Sequence, residues 1–218
     1  MTLRTRHLVG GGLVLLTAVA SVLAYPEMPA EMVTHWGTDG PNGSMDRTVG
    51  LAGLPALALA MLAMFELLPR IDPLGESITD LGGYYDLLVL TVVGLLAYVH
   101  GVMIAWNLGY EFDVVQATAP AVGAVLFVAG VVLERVEKNW FVGIRTPWTL
   151  SSERVWEQTH ERGAPLFKLA GVLALGAVAV PEYGPVFLVG PVAVSALYLT
   201  VYSYLAYRRL GPDEDASV

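Results

Sequence analysis

The sequence predicts an all-α integral membrane protein with six transmembrane helices, both termini cytoplasmic, and an interfacial cytoplasmic segment between the fourth and fifth helices. Three observations predict it. Hydrophobic residues fill 55% of 218 positions and charged residues 15%, against roughly 25% charged in soluble domains. Six apolar runs are separated by polar or turn-rich connections. The basic residues are one-sided: Arg4, Arg6, Arg70, Arg135, Lys138, Arg145, Arg154, Arg162, Lys168, Arg208 and Arg209 fall on connections of one parity, and Arg47 alone on the other. The positive-inside rule places the larger set in the cytoplasm, which implies a multi-pass protein of the cell membrane.

Composition also narrows the chemistry. With no cysteine there is no disulfide, thiolate nucleophile or cysteine-held metal. A net charge of -8 without a basic stripe opposes direct nucleic-acid binding. The acidic excess lies outside the apolar runs and would suit a high-salt environment.

The first run, Leu8–Tyr25, is close to the roughly 20 residues that cross the hydrocarbon. Small residues near Val19–Ala24 allow a signal-peptide reading, but an uncleaved anchor is expected. Pro26–Thr48 carries Pro29, His35, Trp36 and Gly37 between turn signals at Asp39-Gly40 and Asn42-Gly43. It reads as a compact external loop capping the membrane face. Val49–Leu68, Leu87–Leu108 and Val114–Leu133 are the next three runs. Glu66 and Asp86 stand at run ends, while His100 and Asn107 lie within the third run.

The longest polar interval, 134–163, holds Trp140, Trp148 and Trp156 among charges, as suits a segment at a headgroup layer. Gly143 and Pro147 forbid a straight helix or central strand there. Ser151 is the expected N-cap of a short helix, Ser152–His160, lying along the surface. The fifth run, Leu166–Val180, must borrow flanking residues to span, and Val186–Tyr207 is the sixth. The chain divides into 1–68, 69–133, 134–163 and 164–218.

Several side chains are candidates for chemistry. Arg145, between Ile144 and Pro147, is expected to hold a buried carboxylate, Glu66 or Asp86, with a lipid phosphate as the rival partner. His100 is the ionisable residue deepest in a span; a hydrogen bond to a neighbouring helix, at the level of Asn107 or to a tyrosine, competes with a proton or ion path. His35 with Glu31 and Asp39 could form a zinc-like cluster, but no HExxH spacing supports it. His7, His100 and His160 fall at different depths and cannot share one metal. Serine-nucleophile motifs and phosphate-binding glycine loops are absent, so no metal, no cofactor and no catalytic residue is expected.

The run NWFVGIRTPWTLSSERVWEQTH at 139–160 resembles the signature of the SdpI family of toxin-immunity membrane proteins. Its matching positions are Asn139, Gly143, Arg145, Thr146, Pro147, Trp148, Thr149, Trp156 and His160. PEMPAEMVTHWGTDGPNG at 26–43 resembles the small domain of unknown function often found at the N-terminus of that family, through Pro29, His35, Trp36 and Gly37. The resemblance implies a six-helix inner-membrane protein. In the founding case it protects a toxin producer and holds a transcriptional repressor at the membrane.

The reading is therefore a non-enzymatic immunity or sensor protein. It would meet a peptide toxin or envelope signal outside and a regulator protein inside, with membrane lipids around it. The alternative is a small transporter or permease for peptide or lipid-like cargo, built on a polar cavity at His100. A metal-dependent membrane enzyme ranks behind both.

Overall fold

A computed structural model describes residues 3–37, 40–74 and 76–211. Its order is α1 (Leu3–Ala24), β1 (Glu31–Gly37), β2 (Gly40–Asp46), α2 (Arg47–Ile71), α3 (Glu76–Thr79), α4 (Gly83–Asn107), α5 (Val114–Leu133), α6 (Pro147–Leu150), α7 (Glu153–Leu173), α8 (Gly176–Ala179) and α9 (Gly184–Leu210). Among the described residues six helical segments are long and apolar enough to cross a membrane: Thr5–Glu27, Arg47–Ile71, Gly83–Asn107, Val114–Leu133, Glu153–Ala179 and Pro181–Leu210. The fifth run does borrow its flanks.

Two groups of helices form the bundle. α1, α2 and α4 pack together, and α5 packs on α7, which packs on α9; α4 against α5 joins the groups. Lipid cannot drive helices together hydrophobically, so close backbone approach matters more. The α5–α7 contact has it. A Cβ at Gly123 would meet Gly171 O at 2.6 Å, and one at Gly130 would meet Ala164 O at 2.7 Å. Ala170 of α7 and Ala174, its C-cap, are buried as well.

Two local expectations change. The 26–48 region is not a loop cap but a β-hairpin, pairing Glu31 with Asp46 and Gly37 with Gly40, with irregular register around His35. Gly40 adopts φ +102 at the turn; Asp39, its expected turn partner, lies outside the described residues. The surface helix ending at His160 does not exist. α7 runs unbroken from Glu153 into the membrane, because Val155, Trp156, Thr159, His160, Gly163 and Ala164 form one buried stripe at helical spacing. Its N-cap is Ser152, while Ser151 closes α6 and bonds back to Trp148 O at 3.2 Å.

Contacts assign the ends. Arg6, Glu66, Asp86, the 134–152 connection and the end of α9 share one face, since Asp72 Oδ2 accepts from Trp140 N at 3.2 Å and the Trp148 indole donates to Ser203. The hairpin, the α4–α5 turn and α8 share the other. Gln116 Nε2 there donates to Val178 O at 2.7 Å.

Gly171→Ala should separate α5 from α7, since its Cβ would meet Gly123 O at 2.5 Å. The expected loss is about 1–3 kcal/mol, read as a lower thermal midpoint in detergent, while Gly12→Ala, with open space around it, should be near neutral. Asp46 caps α2 by accepting from Thr48 N at 2.8 Å, and that bond holds its carboxyl below the usual range. Its contribution is complete above the ordinary carboxylate pKa and lost as pH falls through the depressed value. Asp46→Asn should remove that acid-side step from a pH series of melting curves.

Candidate functional site

The most strongly charged buried site lies where α1, α2 and α4 meet on the face opposite the hairpin. Arg6 is 5% exposed. Its Nε and Nη2 donate to the two oxygens of Glu66 at 2.7 and 2.9 Å, and Nη1 donates to Asp86 Oδ1 at 2.8 Å. This fork-to-fork geometry is one a lysine cannot copy. His7 Nε2 lies 2.9 Å from Glu66 Oε2. The guanidinium also sits over the Tyr85 ring, 5.4 Å from its centre, and Tyr85 donates to Phe65 O at 2.7 Å. A cleft of about 360 Å³ opens beside the cluster, lined also by Arg70 and Thr79.

Arg145 does not hold those carboxylates. It is exposed and donates to Trp140 O within its own segment. Glu66 and Asp86 were the expected acids, but the base is Arg6. Reach explains the exchange: Arg6 stands inside the bundle at the depth of both acids, whereas Arg145 lies on the outer side of a bent connection. The sequence signal was available, since Arg6 precedes an apolar run on the same parity as both carboxylates.

The signature segment is closed on itself. Asn139, fully buried, donates through Nδ2 to Glu137 O and Val142 O, both at 2.9 Å, and accepts through Oδ1 from Phe141 N and Val142 N at 2.8 and 2.6 Å. Thr146 and Thr149 form a capping box that starts α6 at Pro147. Trp156 Nε1 donates to Val136 O at 2.9 Å and stacks on His160 with centres 4.0 Å apart. His160 accepts at Nε2 from Ile144 N at 2.9 Å; Nδ1, 2.8 Å from Trp156 O, must then be the protonated nitrogen. Gly143 has φ +124, and a Cβ there would meet His160 Nε2 at 2.5 Å. Only glycine fits. A second cleft, of about 460 Å³, lies outside Trp156 and His160 with Glu134, Lys138 and Glu157 on its rim.

At the opposite end the hairpin is fastened to α4. Asn107 donates from Nδ2 to Val33 O and accepts at Oδ1 from Val33 N, both at 2.9 Å, so its amide pairs with β1 as another strand would. Trp36 packs edge-on against Trp106 at 5.6 Å. His35 points outward, exposed, with Nδ1 2.9 Å from Thr34 Oγ1. Pro29 is exposed, and Gly37 lies tightly against the Asn42 amide. Among the described residues no three His, Asp or Glu side chains converge on a metal position; Asp39, of the imagined zinc cluster, is not among them.

His100, 1% exposed, bonds neither to a tyrosine nor at the level of Asn107. Its Nε2 is 2.8 Å from Ser21 Oγ, which also lies 2.8 Å from Leu51 O, joining α4, α1 and α2. Ser21, like Arg6, is a partner that sequence reasoning missed. The pair resembles a nucleophile and base, but among the described residues His100 Nδ1 has no hydrogen-bond partner, so the orienting group such pairs use is not found there. A helix bridge is what the geometry supports.

Comparison with known proteins follows the same division. The model of the SdpI/YfhL protein family matches residues 135–203, and that of the domain of unknown function DUF1648 matches residues 12–59. The chain is also 23% identical over 200 residues to the Immunity protein SdpI of Bacillus subtilis (strain 168), spanning 91% of this chain and 94% of the relative. Residues 135–203 thus carry the SdpI/YfhL signature and residues 12–59 that of DUF1648. No solved structure matches the chain. The SdpI match covers the self-closed segment, α7 and most of α9. The DUF1648 match covers most of α1, the hairpin and the first half of α2. Glu66, Asp86, His100 and Asn107 fall between the two.

Arg6→Ala should strand two carboxylates and cost about 3–5 kcal/mol, seen as a large fall in thermal midpoint, with Arg6→Lys intermediate. Arg145→Ala should stay within about 0.5 kcal/mol of the parent. The reverse ranking would refute this assignment.

Proposed function

We propose that this chain, with its SdpI/YfhL signature, is a membrane immunity or sensor protein of the cell membrane. Its hairpin face lies outside and receives a secreted peptide toxin or an envelope signal. Its signature face lies inside, as the positive-inside rule requires of the side with Arg6, Arg70 and the 134–163 bases, and offers a regulator protein its docking surface. The observation that carries the reading is the fastening of α4 at both ends: Asn107 to the hairpin, and Asp86 through Arg6 to α1 and α2. A ligand that shifts the hairpin thus acts on one end of a helix whose other end sits in the charge cluster. That is a physical route between two faces, with two rigid end contacts. Likeness to a curated immunity protein over nearly its full length agrees with it.

The transporter alternative calls for a polar cavity at His100. That residue is closed in against Ser21, which places this reading second. The test is survival. Deleting the gene should sensitise the native host to peptide toxins secreted by competing strains. Restoring the wild-type gene should recover growth, and the Arg6→Ala gene should not. Equal survival of all three strains would sink the proposal.

A further inference from the structure

A groove of about 350 Å³ opens on the hairpin side of the bundle between α1 and α2, lined by Ser21, Val22, Tyr25, Pro26, Leu51 and Ala52. Its walls are apolar and accessible: Val22 is 73% exposed, Tyr25 40%, and Ala52 is also exposed. On this face the charge is largely of one sign. The described acids of this face are Glu27, Glu31, Asp46, Glu111, Asp113 and Glu182, all exposed, against one base, Arg47. Arg47 is already engaged, stacked over Tyr25 at 4.5 Å and donating to Met28 O at 3.4 Å. Exposed aromatic rings at Tyr110 and Tyr183 share the face.

An anionic phospholipid headgroup would meet six carboxylates and one occupied guanidinium. A second copy of the chain, presenting the same face, would meet its own sign. A cation is the complement, and an apolar groove beside an anionic field selects a cation with an apolar side. We infer that the hairpin face is the docking surface for a cationic amphipathic peptide. Its apolar side chains enter the α1–α2 groove, and its ammonium or guanidinium groups face Glu27, Glu31 and Asp46. The inference rests on the reading that this face meets a secreted peptide, and adds that peptide's chemistry and its seat.

The experiment titrates a fluorescent leucine–lysine amphipathic helix into the full chain held in phosphatidylcholine nanodiscs. Empty nanodiscs and a leucine–glutamate helix serve as controls. Binding should be saturable, absent from both controls, weaker at high salt, and reduced about tenfold or more by Glu27→Gln with Glu31→Gln and by Ala52→Trp. Val22→Trp fills the same groove from α1 and replaces Ala52→Trp if circular dichroism shows that variant unfolded. Binding no greater than to empty discs, or binding that survives the charge and groove variants, overturns the inference. So does native mass spectrometry showing a retained phospholipid that Ala52→Trp releases while the peptide fails to bind. Protection of cells without peptide binding removes this inference alone; peptide binding without protection removes only the immunity reading.

Discussion

One guanidinium shared between two carboxylates is the contact on which the first half of the bundle depends. Arg6 brings α1 to Glu66 of α2 and Asp86 of α4, and all three charges are largely withdrawn from water. In such surroundings the loss of either partner is far more costly than the pair is worth against an apolar replacement. The same arithmetic makes the cluster specific. Any sliding of α1 along α2 or α4 would separate Arg6 from the two carboxylates it joins. Tyr85 adds direction, with its ring under Arg6 and its hydroxyl anchored on Phe65 O.

The second half is held by backbone proximity instead. Gly123 against Gly171 and Gly130 against Ala164 bring α5 and α7 together until little lies between them. The signature segment then closes this pair at one end. Asn139 meets four backbone groups and His160 two, so an irregular stretch at the membrane boundary leaves few buried polar groups unmet. Residues that look like binding groups in one dimension, Asn139, Thr149, Trp156 and His160, are occupied by bonds within the segment and its junction with α7. The density of that motif reflects a shape, and its outward surface is left for Glu134, Lys138 and Glu157 beside the cleft.

The two faces differ in what they present. On the signature side acids and bases are mixed and partly paired, as Lys168 with Glu134 and Arg135 with Glu134. On the hairpin side exposed carboxylates share the face with an apolar groove. Between them α4 runs the full thickness, pinned by Asp86 at one end and Asn107 at the other, with His100 and Ser21 bridging helices in between. α4 is thus the element that joins two unlike surfaces.

The sequence by itself determined the spans and their alternation, because hydrocarbon thickness and one-sided arginine and lysine are local properties of a chain. It also marked Glu66, Asp86, His100 and Asn107 as polar groups needing partners, since burial near apolar runs has a cost whichever partner arrives. It could not say which partner. Arg6 rather than Arg145 took the carboxylates, and Ser21 rather than a tyrosine met His100, because depth and helix rotation are set only when the helices pack. The length of α7 was decided the same way. Pro165 and Gly163 suggest a break in one dimension, yet Gly163 lies closely against Ile144 and Pro165 sits on an exposed face. The stripe through Trp156, His160 and Ala164 therefore carries the helix straight through, tertiary packing overriding local propensity.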